Sequence, residues 1–335
     1  MARSLAEGAP LLRRLKRIIL WAAATLAILG VVAAVALLRA LAFDAPEEFL
    51  HRKGQLSAVE SLPLAGDSLH DAYQLTLHSD AGYSVSGHLR VPLSASQAPA
   101  PGLIVIGGVR TGRLGAELVT PEQPYVILGL DYPWDGPTSL TAWQFIVRLL
   151  DIRRAMLLTP SAVMLALDYL ESRPDVEASE IVLVGSSFGA QLIVVAAALD
   201  PRGSPVMVIY GGGDYAELLR ENLKLEPGWL RNALAAGGAR LLAPLEPLDY
   251  VADIAPRPVV MINGIDDKKI PRRSVESLYE AARQPKRLIW LPEGHISSRN
   301  PALLERVMLA AVEALAELEA DSAVITPVAG SESSR

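Results

Sequence analysis

Residues 18–38 form a run of 21 positions without a charged side chain, with Thr25 and Gly30 as its interruptions. As a helix rising about 1.5 Å per residue, the run is about 31 Å long, close to the hydrocarbon thickness of a bilayer. Arg3, Arg13, Arg14, Lys16 and Arg17 precede it against the single acid Glu7, whereas Arg39, Arg52 and Lys53 follow it diluted by Asp44, Glu47 and Glu48. The positive-inside bias therefore predicts a basic cytoplasmic tail over 1–17, a membrane anchor over 18–40, and the rest of the chain on the non-cytoplasmic side. A cleavable signal peptide ending near Ala40-Leu41-Ala42 is the rival reading, although signal apolar regions usually run about 7–15 residues.

After a mixed-charge stretch over 41–60, expected to be a linker, short apolar or alternating runs alternate with helical ones over 61–320. That pattern predicts an α/β domain with a mostly parallel sheet and helices on both faces. Residues 72–78 and 83–91 alternate as an antiparallel hairpin turning at 79–82. Residues 102–107 and 125–130 are fully apolar runs, as expected of buried central strands, and 181–184, 206–210, 258–262 and 287–291 read as further strands. Helices are expected over 141–172, broken near Pro160, over 190–199, and over 301–318, where Pro301 suits a first helical turn. Between the strands, 211–250 holds two helical pieces, 215–224 and 229–242, that could form a small cap. Residues 321–335 lack an apolar period and read as a disordered tail.

Composition narrows the chemistry. The 335 residues are 51% apolar and 20% charged, with a net charge of −6, so the balance is not the basic one of a nucleic-acid binder. The absence of cysteine excludes disulfides, thiolate zinc sites and a cysteine nucleophile. The five histidines, His51, His70, His78, His88 and His295, are dispersed without metal-ligand spacing, and no phosphate-binding glycine loop is found. Neither a metal nor a cofactor is expected.

The sharpest local signal is Gly185-Ser186-Ser187-Phe188-Gly189, between an apolar strand and an apolar helix. A serine on a tight strand-to-helix turn needs small residues two before and two after it, so that the two backbones can pack around it. The following helix N-terminus would offer the Phe188 N–H to an oxyanion. Serine needs a base. In the order nucleophile, acid, base, only His295 follows Ser187, in a loop leaving the 287–291 strand. The acid is sought after the preceding strand, where Asp266 and Asp267 are adjacent candidates.

These motifs, together with Gly87-His-Leu-Arg-Val-Pro92 and Gly264-Ile-Asp-Asp267 followed by Pro271, make residues 65–318 resemble the α/β-hydrolase superfamily, particularly its dienelactone-hydrolase-like and prolyl-oligopeptidase-like branches. The resemblance implies Asp267 as the acid, three residues after the loop glycine and four before the proline. It also implies a second oxyanion donor after the third strand of the family fold, where His-Gly is common. Here the run is Ile106-Gly-Gly-Val-Arg110, so the donor falls to the backbone of Gly108 or Val109, with Val109 preferred. Tyr132 and Trp134 could line an acyl pocket, and Arg110 and Arg113 could meet an anionic substrate.

The expected function is a membrane-held serine hydrolase that cleaves a carboxylic ester or thioester of a small-molecule acyl substrate, with Ser187, Asp267 and His295 as its triad. A peptidase, amidase or acyltransferase would use the same residues. A non-catalytic binding module on the same fold is the alternative from another class.

Overall fold

The computed structural model describes residues 8–41, 45–109, 111–119, 124–137 and 139–325. The chain divides into two compact units, Met1–Asp44 and Ala45–Arg335. The first holds one helix, α1 (Gly8–Leu41), which continues through the basic residues 13–17. Its stretch Lys16–Ala33 is unburied, and it is long and apolar enough to cross a membrane or to serve as a signal sequence.

The second unit begins with α2 (Ala45–Lys53) and β1 (Leu56–Leu64), where a linker over 41–60 was expected. The strand pairs antiparallel with β2 (His70–Ser79), yet nearly all its side chains face water. An exposed edge strand needs no apolar alternation, so its sequence does not announce it. The β2–β3 hairpin forms as expected, with β3 spanning Tyr83–Pro92. Gly82 takes the positive φ of its turn, +83°.

Next come β4 (Ala100–Ile106), α3 (Gly115–Leu118), β5 (Val126–Leu130), α4 (Ala142–Val147), α5 (Leu149–Glu171), β6 (Val176–Ser186), α6 (Phe188–Leu199) and β7 (Val206–Ile209). Then follow α7 (Tyr215–Asn222), α8 (Gly228–Leu242), β8 (Val259–Gly264), α9 (Arg272–Ala281), β9 (Lys286–Leu291) and α10 (Pro301–Ile325). The last helix runs past 318 into the segment expected to be a loose tail; residues 326–335 lie outside the described residues. Its final turns continue a helix that is already docked, which a composition argument does not register.

The helical stretch over 141–172 breaks at Arg148 rather than at Pro160. Residues 155–167 are buried throughout, and Thr159 Oγ1 donates to Ala155 O one turn back. Packing along the whole segment outweighs the roughly 3 kcal/mol that an interior proline costs.

The strands lie in the order β1-β2-β3-β5-β4-β6-β7-β8-β9, antiparallel up to the β3–β5 pair and parallel from β5 to β9. Leu103, Val105, Ile127, Val182, Val184, Met207, Val260 and Ile262 point to one face, where Leu303, Val307, Ala310 and Ala314 of α10 meet them. Ile104, Ile106, Leu183 and Met261, at the alternate positions, are buried as well. With both faces covered, every position in a central strand must be apolar. The parallel strands consequently deliver their C-terminal loops to one edge of the sheet, where ligand chemistry gathers in such folds.

Candidate active site

Strand β6 ends at Ser186 and α6 begins at Phe188, so Ser187 alone carries the reversal. It does so at φ 54°, ψ −118°, a strained conformation for a residue with a side chain. A Cβ at Gly189 would collide with the Ile106 carbonyl, and one at Gly185 with the Gly189 carbonyl. The two glycines are thus a packing requirement of the turn. Ser187 N–H donates to Ile209 O at 2.8 Å, which pins the turn to β7.

Ser187 Oγ lies 2.8 Å from His295 Nε2, and His295 Nδ1 lies 2.7 Å from Asp267 Oδ2. The other carboxylate oxygen of Asp267 accepts from the N–H groups of Lys269 (2.7 Å) and Ile270 (3.2 Å). Its side chain is 1% exposed, whereas Asp266 is exposed. The acid loop and the histidine loop are joined directly: Ile265 N–H donates to Leu291 O and Asp266 N–H to Glu293 O. Gly264 permits this approach, because a side chain there would strike the Glu293 carbonyl.

Tyr210, a residue that the sequence offered no reason to single out, sets its ring edge-on to His295 with centroids 5.7 Å apart. Burial, reinforced by the negative charges of Asp267 and Glu293, pushes its phenol up to about 12, so it stays neutral beside the imidazole.

On the other side of Ser187 runs the loop after β4. The Tyr132 hydroxyl donates to Gly107 O, and Gly108 O accepts from Thr111 N and Gly112 N. Gly108 faces Ser187 so closely that a Cβ there would sit 3.8 Å from its Oγ. Val109 is exposed. As the first residue of α6, Phe188 has an N–H without an intrahelical acceptor. The Phe188 ring packs at 5.5 Å from that of Tyr132. Tyr132 therefore braces the loop rather than simply lining a pocket. Arg113 is committed to Asp131 through its guanidinium and its N–H, at 2.7 and 2.8 Å. Arg110 lies outside the described residues.

No family model matches the chain. A curated relative, the protein named YfhR of Escherichia coli O157:H7, is 27% identical over 183 residues, 53% of this chain and 56% of that one. YfhR of Salmonella typhimurium is 31% identical over 135 residues, 40% and 46% of the two chains. The chain thus spans about half the length of the curated relatives it matches. Among solved structures, an acetyl xylan esterase from Paenibacillus sp. R4 superposes with a TM-score of 0.61 at 15% identity, covering 81% of this chain and 94% of that one. Acetyl xylan esterase 1 from a Thermoanaerobacterium species gives 0.58 at 18% identity, covering 79% and 92%. At such identities the likeness is one of architecture. The second unit of this chain shares the α/β fold of these two esterases, a mostly parallel sheet flanked by helices.

Proposed function

We propose that the chain is a serine hydrolase that cleaves a carboxylic ester or thioester through an acyl-enzyme. The observation that carries this reading is the hydrogen-bonded series from Ser187 Oγ through His295 to Asp267. In this scheme Ser187 Oγ attacks the acyl carbon while His295 Nε2 takes its proton. The C–O or C–S bond to the leaving group breaks as His295 returns that proton to it. Water, deprotonated by His295, then attacks the acyl-serine, and the acid is released as His295 passes that proton to Ser187 Oγ. Asp267 holds the imidazole with its Nδ1 proton inward and stabilises the imidazolium that forms. The N–H groups of Phe188 and Val109 receive the developing oxyanion. The names of the two solved esterases favour esters as the substrate class. The inserted pair α7 and α8 is read as a small cap over the site.

A fluorophosphonate probe tests this reading. The full chain should be labelled, with the adduct mapping to Ser187, and Ser187→Ala should lose both the label and hydrolysis of p-nitrophenyl acyl esters. Hydrolysis that survives in Ser187→Ala would overturn the assignment.

We also read α1 as an uncleaved anchor, with the hydrolase domain on the non-cytoplasmic side. Its length and composition support the anchor, and the five basic residues that precede the apolar run support the orientation. A soluble mature chain starting near Phe43 would sink the anchor. A C-terminal reporter that works only outside the cytoplasm, silent on a membrane-bound fusion, would reverse the orientation.

A further inference from the structure

Among the described side chains of residues 143–150, four large apolar ones face water: Trp143 is 72% exposed, Phe145 49%, Val147 62% and Leu150 65%. Trp143 and Val147, four apart, share one face of α4, and Leu150 follows just past the break at Arg148. Trp143 comes with Arg148 and Arg154 close by in the chain, against the single acid Asp151, a mixture of aromatic and basic side chains that suits a lipid–water interface.

The segment is tied to the candidate site. The Arg148 guanidinium stands over the Trp134 ring at 5.9 Å, Trp134 N–H donates to Tyr132 O at 2.7 Å, and the Tyr132 ring packs on Phe188, next to Ser187. Its place in the domain is informative too. Along α2, Phe49 O accepts from Ser161 Oγ and Lys53 Nζ donates to Asp168 Oδ1, so α2 and α5 advance in the same direction. The first residue of the domain, Ala45, therefore lies toward the end of α5 at which Leu150 stands and α4 joins. In the chain only residues 42–44 separate Ala45 from α1.

We propose that α4 and the first turn of α5 form a second membrane contact, a monotopic docking surface that inserts Trp143, Val147 and Leu150 into the lipid–water interface of a bilayer. The inference rests on the reading of α1 as a membrane anchor for the choice of occupant. Short amphipathic segments bind an interface weakly when free, but tethering raises the local lipid concentration without any new contact.

The chain has no cysteine, so single nitroxide labels are unambiguous. The experiment uses the full chain in phosphatidylcholine vesicles, labelled through Val147→Cys, Leu150→Cys, Leu26→Cys in α1, or Glu313→Cys on the exposed face of α10. Labels at 147 and 150 should lose accessibility to a water-soluble nickel chelate and gain accessibility to oxygen relative to the label at 313. Nickel accessibility at 147 equal to that at 313 would overturn the docking surface, whatever the label at 26 reports. Dipolar broadening between labels at 147 would put a second copy of this chain on the patch and would overturn it as well. A label at 26 in water with those at 147 and 150 in lipid would sink the anchor alone and leave the docking surface standing.

Discussion

Asp267 and His295 stand 28 residues apart in the chain and meet at 2.7 Å, with the second oxygen of the carboxylate held by two backbone N–H groups of its own loop. Such a carboxylate has a fixed direction and can fix the imidazole in turn. Asp267→Asn should therefore lower kcat on the order of 10⁴-fold by favouring the wrong tautomer. Asp266→Asn, which alters an exposed side chain, should leave kcat nearly unchanged. Steady-state hydrolysis of a p-nitrophenyl ester distinguishes the two, and equal losses would refute the assignment of the acid.

The backbone at Ser187 stores strain, at φ 54° and ψ −118°. Glycine tolerates that region and alanine does not. Ser187→Gly should thus be more stable than Ser187→Ala by about 1 kcal/mol, while both lose probe labelling. Urea unfolding of the two variants measures the difference. A more stable alanine variant would mean that the turn is unstrained.

Tyr132 acts on the loop after β4 through its hydroxyl, which donates to Gly107 O. Tyr132→Phe removes that bond while keeping the ring on Phe188. The loss of about 1 kcal/mol of loop support should appear as a several-fold fall in kcat with KM little changed. A change confined to KM would instead make Tyr132 a substrate-binding residue.

Arg202 bonds Asp200, Glu171 and Asp168 at once. Burial works to raise the Asp200 carboxyl, but its bonds to Arg202 outweigh burial and hold it below the ordinary carboxylate range. A group depressed on folding stabilises the fold above its unfolded pKa of about 4, and that contribution disappears as pH falls through the folded value. Arg202→Met should cost about 2 kcal/mol at pH 7. The gap to the unmodified chain should narrow below pH 4, as the carboxylates protonate in both. Urea midpoints across that range test the sign.

The turn at Ser187 was legible because its constraint is local. A strand, one strained residue and a helix can be joined only where the flanking positions lack side chains, and Gly185 and Gly189 state that in the sequence. The central strands were legible because burial on both faces demands unbroken apolar runs, as at residues 102–107 and 181–184. β1 was not, because an exposed edge strand is held by backbone pairing that leaves no mark on side-chain pattern. The passage of α5 through Pro160 was equally hidden, since it depends on what packs around 155–167 from elsewhere in the chain.

By itself, then, the sequence determined the apolar length of α1, the α/β alternation, and the residue types Ser187 and His295 in their chain order. It offered Asp266 and Asp267 as equals, and only the resemblance to a family separated them. The tertiary structure decided which carboxylate turns toward His295, that Tyr210 lies against the imidazole, and that Tyr132 braces the loop facing Ser187. Those relationships join loops that follow different strands. Their distances are set by the order β5-β4-β6-β7-β8-β9 across the sheet and by the close approach at Gly264, and neither is a property of any local stretch of residues.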